Sequence, residues 1–275
     1  MITGIPDNGP GGLTTVVQTT AEFFGVPMDH VRLVHGNTDA LPIDAASAGS
    51  RVTNLVTRCV TAASERIVEQ LTPLAAEMLG AEHPVWEKPG WRGEDGRFVS
   101  LQELARETVR AGEELAHAQV TLTAPNEGGR GYCAQAAEVE VDPETGEVTL
   151  RKIVSVQDVG TVLNTLSHRG QVEGSVVQGI GYALTEELPL EEGRITTTHL
   201  GDYKLPVVED IPELVVIDVP SSGVGPLNVR SIGEIVTAPT AGAIAAAVMD
   251  ATGCEIHRLP MTAERVLTAI AEARG

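Results

Sequence analysis

The sequence predicts an α+β fold, with mixed sheets carrying packed helices, and three observations lead there. Segments with apolar residues at i, i+3 and i+4 are mixed with short alternating segments, without the regular strand–helix–strand rhythm of a doubly wound sheet. Asp142-Pro143-Glu144-Thr145-Gly146 lies between two strand-like runs and signals an antiparallel hairpin. Aromatic residues make up only 3% of the 275 residues, so Val, Leu, Ile and Ala have to build the core.

The elements follow in order. Asn8-Gly9-Pro10-Gly11-Gly12 is a turn. Leu13–Phe24 reads as a helix stopped by Gly25, with Pro27 just beyond. Val31–Val34 alternates as a short strand, and residues 36–49 form a loop rich in Asp, Pro, Ala and Ser. From Ser50 to Leu79, Leu55, Val56, Cys59, Val60, Ala63, Ile67 and Leu71 make one apolar helical face, which Pro73 is expected to kink or break. Trp86, Trp91 and the turn at 93–96 predict a hairpin over 84–99. Ser100 with Glu103 is a capping box opening a helix to Ala111. Strands at Ala137–Val141 and Val148–Val156 flank the hairpin turn. They are followed by a helix at Leu166–Leu184, a strand at Leu214–Val219, and helices at Ala238–Ala251 and Ala263–Ala273. We expect two lobes, 1–125 and 126–275.

Charge and composition narrow the function. With 19 Lys+Arg against 38 Asp+Glu, the net charge of −19 argues against binding nucleic acid or an anionic membrane surface. No apolar run approaches the roughly 18 residues that span a bilayer, and the opening MITGIPDNGPGG carries no secretory pattern, so a cytoplasmic location is expected. Cys59, Cys133 and Cys254 lie far apart with no C-x-x-C pair. An iron–sulfur cluster, a structural zinc or a disulfide framework within this chain is therefore not expected.

Four glycine-bearing places stand out: Asn8–Gly12, Ser47–Ser50, Gln178-Gly179-Ile180-Gly181 and Ser231-Ile232-Gly233-Glu234. Glycine lets a backbone approach a ligand closely, and a helix N-terminus offers unpaired N–H groups to an anion. Tight turns and helix packing account for the same glycines. Gly179 and Gly181 lie inside a predicted helix, at a cost of about 1 kcal/mol each against alanine. Helix crossing and close approach of a ligand explain that cost equally well. Arg51 and Thr53 can serve an anion at the helix start after Ser50, or simply be solvated. Glu234 stands between an apolar turn and an apolar helix, surroundings that dispose a carboxylate to abstract protons. An interaction with the helix dipole explains it as well.

The run Gln171-Val172-Glu173-Gly174-Ser175-Val176-Val177-Gln178-Gly179-Ile180-Gly181-Tyr182-Ala183-Leu184-Thr185-Glu186-Glu187 closely resembles a signature of the xanthine dehydrogenase/aldehyde oxidase family, the molybdenum hydroxylases. The match is to their large, molybdopterin-binding subunit. The hairpin from Ala137 to Val148, Asp202-Tyr203-Lys204-Leu205-Pro206, Asp210-Ile211-Pro212-Glu213, Ile232-Gly233-Glu234 and Leu259-Pro260-Met261-Thr262 resemble the family in the same order, as do Gly25–Asp39 and Ala48-Gly49-Ser50-Arg51. The resemblance covers the C-terminal half of such a subunit. We expect either a separately encoded half-subunit or a piece of a longer protein, the N-terminal molybdopterin-binding half lying elsewhere.

What the resemblance implies is specific. The fold is the molybdenum cofactor-binding domain of this family. The reaction is hydroxylation of an aldehyde or N-heterocycle with water as the oxygen source. Glu234 matches the active-site base, and Gln178 the glutamine beside the metal. Ala48, Gly49, Ser50 and Thr53 match the loop and helix start that bind pterin and phosphate, and Gly233 sets the approach to the base. No protein side chain ligates the molybdenum, which a molybdopterin holds, in its plain form or as the cytosine dinucleotide. Fe–S clusters and FAD are expected on partner subunits, and a homodimer is compatible with the exposed apolar face expected where the missing half would dock. The sequence departs from the family at Gly9-Pro10-Gly11, where a glutamine contact to the cofactor is replaced by proline; Asn164-Thr165 and Asn228-Val229-Arg230 also differ. The proline supports a second expectation from a different class, a non-catalytic scaffold half-subunit that has lost its cofactor.

Overall fold

The computed structural model describes residues 1–6, 8–39, 41, 47, 49–112, 116–122, 131–221 and 226–274. The chain divides into two compact units, Met1–Gly128 with Val224–Val229, and Gly129–Gly223 with Arg230–Gly275. The helices and sheets are mixed as the α+β reading expects.

In the first unit, β1 (Ile2–Thr3) pairs in parallel with β2 (Val34–His35), and α1 (Gly12–Phe24) packs against α2 (Val52–Leu79). Gly25 ends α1 in the left-handed conformation, φ 66°, as its position predicts. The strand expected over 31–34 is only β2, preceded by a 3-10 turn at Met28–His30; its partner β1 offers just two residues to pair with. Beyond α2 come β3 (Val85–Glu87), β4 (Gly90–Arg92) and β5 (Phe98–Ser100), an antiparallel meander rather than one hairpin, and then α3 (Leu101–Ala111).

Against expectation, α2 runs on through Pro73 to Leu79. A proline removes one helical hydrogen bond, but here Leu71, Ala75 and Leu79 on either side bury themselves with Trp91, Val99 and Leu104. Trp91 is fully buried, donates its Nε1–H to Thr72 Oγ1 at 3.0 Å and meets Trp86 edge-on at 4.7 Å. Phe23 and Phe24 complete this aromatic group around Trp86. Among the described residues, the second unit's core has no buried aromatic.

The capping box forms as read: Glu103 N–H donates to Ser100 Oγ at 3.1 Å, and Ser100 N–H to Glu103 Oε2 at 2.9 Å. Ser100→Ala is expected to lower stability by about 1 kcal/mol, measured as the shift in urea midpoint at unchanged slope.

The second unit is built on a three-stranded sheet. β7 (Val148–Asp158) lies centrally, antiparallel to β6 (Tyr132–Val141) and parallel to β10 (Glu213–Asp218). The strands β6 and β7 run longer than expected: Cys133 and Gln135 lie in the added part of β6, and Gln157 in that of β7, where polar side chains break the apolar pattern. Ser155 and Gln157 are buried. The hairpin turn closes as read, with Glu144 N–H donating to Asp142 Oδ1 at 2.8 Å. Its Gly146 has φ 76°, and a Cβ there would lie 2.1 Å from the Ala263 carbonyl. Only glycine satisfies both demands.

α4 (Thr165–Leu184) and α6 (Gly233–Thr252) pack together, and α7 (Ala263–Arg274) joins the same core through Val266 and Ile270. Between α4 and β10, where the sequence predicts no helix or strand, the chain forms β8 (Leu190–Glu191), β9 (Arg194–Ile195) and the short α5 (Leu200–Tyr203). α6 begins five residues before the expected Ala238, so Pro239 lies in its second turn and Glu234 in its first. The expectation that no segment approaches bilayer length is also corrected: by length and composition alone α6 suffices to cross a membrane. Its Val236, Thr240, Ile244 and Val248, every fourth residue, are buried, which is the pattern of a helix against a core.

Candidate functional site

In the first unit two helix starts come together. A Cβ on Gly12, the first residue of α1, would lie 3.2 Å from Val52 Cγ1, the first residue of α2. Neither N-cap residue, Gly11 or Arg51, caps its helix with its own side chain. Gly11 precedes α1 with φ 76°, and the first helical bond is Thr15 N–H to the Gly11 carbonyl at 3.0 Å. Arg51 precedes α2, whose first bond is Leu55 N–H to the Arg51 carbonyl at 3.0 Å. The N–H groups of Gly12, Leu13 and Thr14, and of Val52, Thr53 and Asn54, have no acceptor within their helices.

The loop into α2 is strained. Gly49 has φ 66° and Ser50 φ 52°; a non-glycine residue there costs on the order of 1–3 kcal/mol. Ala48 lies outside the described residues. Asn8 Nδ2 donates to Ser47 Oγ at 2.5 Å, joining the first glycine turn to the second. Asn54, 4% exposed, donates through Nδ2 to the Val229 carbonyl at 3.1 Å, and its Oδ1 acceptor is buried without a partner among the described residues. One turn further along α2, Arg58 Nη1 is buried without a partner among the described residues. The sequence pointed to Arg51 and Thr53 here; Asn54 and Arg58 were missed, although they continue the same helical spacing.

In the second unit Gln178 and Glu234 are both exposed. Gln178 stands on an open stripe of α4 with Gly170 and Gly174, and its Nε2 donates to Tyr182 Oη at 2.7 Å. Glu234 lies in the first turn of α6, which has no side-chain cap at Ile232. Its carboxylate faces outward instead of being enclosed by the apolar residues around it in sequence, because those residues point to the core. A hydrogen bond adds to the packing of the two elements: Ser175 Oγ, one turn before Gln178, donates at 2.7 Å to the carbonyl of Gly233.

The ambiguity over Gly179 and Gly181 resolves toward packing. A Cβ at 179 would lie 2.4 Å from Thr240 Cβ of α6, and one at 181 would lie 2.0 Å from Glu186 Oε1. The histidines His168 and His199 are partnered by Asp218 at 2.8 Å and Asp202 at 2.6 Å. Among the described residues, no three His, Cys, Asp or Glu side chains are grouped to hold a metal ion.

Within the first unit, open helix starts with close glycine approaches are an arrangement suited to an anionic group. The molybdopterin cofactor-binding domain family matches residues 1–212. The putative xanthine dehydrogenase molybdenum-binding subunit XdhA of Escherichia coli (strain K12) is 32% identical over 285 residues, covering 96% of this chain and 36% of that protein. The aldehyde oxidoreductase molybdenum-binding subunit PaoC of the same organism is 30% identical over 274 residues, covering 96% and 36%. The crystal structure of quinoline 2-oxidoreductase from Pseudomonas putida 86 superposes with a TM-score of 0.85 at 26% identity, over 98% of this chain and 36% of that one. The chain belongs to the molybdopterin cofactor-binding domain family, of the xanthine dehydrogenase/aldehyde oxidase type. It spans little more than a third of the length of these relatives.

Proposed function

We propose that the chain is the C-terminal part, little more than a third, of the molybdopterin-binding subunit of a molybdenum hydroxylase. Its reaction converts a C–H bond of an aldehyde or N-heterocycle, with water, to C–OH, two protons and two electrons. The observation that carries the cofactor reading is the pair of uncapped helix starts of α1 and α2, with the unpartnered Asn54 Oδ1 just inside. Open N–H groups suit phosphate, and a buried orphan acceptor suits a pterin N–H. The residues present therefore fit the group. Gly49, Ser50 and Thr53, with Ala48, hold the pterin and its phosphate by this reading, in the plain or cytosine-dinucleotide form.

When bound, the molybdenum cofactor supplies the redox centre that takes up the two electrons. The protein supplies the proton chemistry and the orientation. Glu234 takes a proton from the water-derived nucleophile on a carboxylate oxygen, as a general base on a rigid helix start. Gln178 offers its amide as a hydrogen-bond donor beside the reacting centre, and Gly233 leaves the approach to the base unobstructed. The electrons leave through partner subunits carrying Fe–S clusters and FAD, since Cys59, Cys133 and Cys254 are scattered single thiols. The same reading places the assembly in the cytoplasm.

Pro10 favours the second reading, a scaffold half-subunit, because proline offers neither a side-chain bond nor an N–H to a cofactor. Co-expression with the N-terminal half and the electron-transfer subunits separates the two. Stoichiometric molybdenum and pterin in the purified complex is the expected result; a stable complex free of both establishes the scaffold. The chain purified alone is expected to hold no pterin, because a part-formed cradle lacks the preorganisation that tight binding needs.

A further inference from the structure

We propose that Ser175 and the Asp158–Arg230 pair are positioning residues that fix the turn bearing Glu234. The proposal rests on reading Glu234 as the base. Residues 230–236 are tied down at three places around it, each by a different element. At Arg230, the backbone N–H donates to the Val159 carbonyl at 3.0 Å, and Nη1 donates to Asp158 Oδ2 at 2.8 Å. The Arg230 side chain is only 10% exposed. At Gly233, the carbonyl accepts from Ser175 Oγ at 2.7 Å. At Val236, the carbonyl accepts from Gln135 Nε2 at 2.8 Å. Glycine at 131 lets β6 lie close beneath the turn: a Cβ there would meet Ile235 Cδ1 at 2.6 Å and the Ser231 carbonyl at 3.0 Å.

The anchoring is asymmetric in a useful way. Glu234 itself is exposed, whereas Ser175 and Val236 are buried and Arg230 nearly so. A mobile carboxylate would have to be ordered at each turnover; a carboxylate on a clamped backbone has only its own rotamers to settle. Asp158 is itself held: the Ser221 hydroxyl, then the Gly160 N–H and Arg230, keep its carboxyl below the usual aspartate range. The pair's contribution is thus complete above the ordinary aspartate value of about 3.9 and is lost only as pH falls through the lower folded value.

The test uses the complete enzyme with Ser175→Ala, Ser175→Thr and Arg230→Gln, and Glu234→Gln alongside. A loss of about ten- to a hundredfold in kcat is expected for Ser175→Ala and Arg230→Gln, with KM, molybdenum and pterin content unchanged, and recovery in Ser175→Thr. In the metal-free chain, hydrogen exchange of the peptide spanning 230–240 is expected to speed up in both impaired variants. Unchanged kcat in Ser175→Ala and Arg230→Gln beside an inactive Glu234→Gln overturns the positioning role alone. Unchanged exchange, or activity lost in proportion to pterin, overturns it too. An active Glu234→Gln overturns the reading beneath it.

Discussion

Glu234→Gln is expected to abolish turnover in the complete enzyme while molybdenum and pterin stay at their native level. Glutamine keeps the shape and the hydrogen-bonding reach of the side chain but cannot take a proton. A positioned general base contributes on the order of 10²–10⁴ in rate. The folding cost is small because the side chain is exposed. What is lost there is the favourable meeting of a carboxylate with the first turn of α6, about 0.3–1 kcal/mol. The two explanations of Glu234 therefore separate in one variant. A base gives lost turnover with little change in stability. A dipole partner gives slightly lowered stability with near-normal turnover, and that outcome would sink the assignment.

The helix starts show how much was legible. At α3 and α4 the cap is a side chain, Ser100 and Asn164, and both starts were read to within a residue. At α2 and α6 the residues before the helix, Arg51 and Ile232, make no side-chain cap, and the predicted starts miss by two and five residues. The capping side chain is the signal that sequence carries. A start left open lacks that signal, and the reading then depends on what else marks it: the glycine turn before α1 still placed its uncapped start to within one residue. The clamp around Glu234 was illegible for another reason: Ser175 and Asp158 meet residues 58 and 72 positions later in the chain. In sequence, Ser175 is one small residue on a buried helical face, and Arg230 is a departure from the family's small-residue run.

The glycines of α4 carry the second large effect. Gly179→Ala is expected to destabilise the metal-free chain by about 2 kcal/mol, the balance of opposed terms. In a solvent-exposed helix alanine gains about 1 kcal/mol over glycine. At 179 the new methyl would lie 2.4 Å from Thr240 Cβ and 2.7 Å from Thr240 Oγ1, on a branched side chain fully buried in α6. Forcing the helices apart costs roughly 1–3 kcal/mol. Moving Thr240 also strains its 2.7 Å bond to the half-buried Gln135 Oε1, a bond worth about 0.5–1.5 kcal/mol. Packing therefore outweighs propensity. Gly181→Ala makes the control: its Cβ would meet Glu186 Oε1 at 2.0 Å, but that atom ends a flexible chain that can swing aside, so a change within about 1 kcal/mol is expected. Urea denaturation of both variants reads the difference. Had Gly179 been present to admit a ligand, the ligand-free chain would gain stability on substitution, so a raised midpoint for Gly179→Ala would refute helix crossing as its purpose.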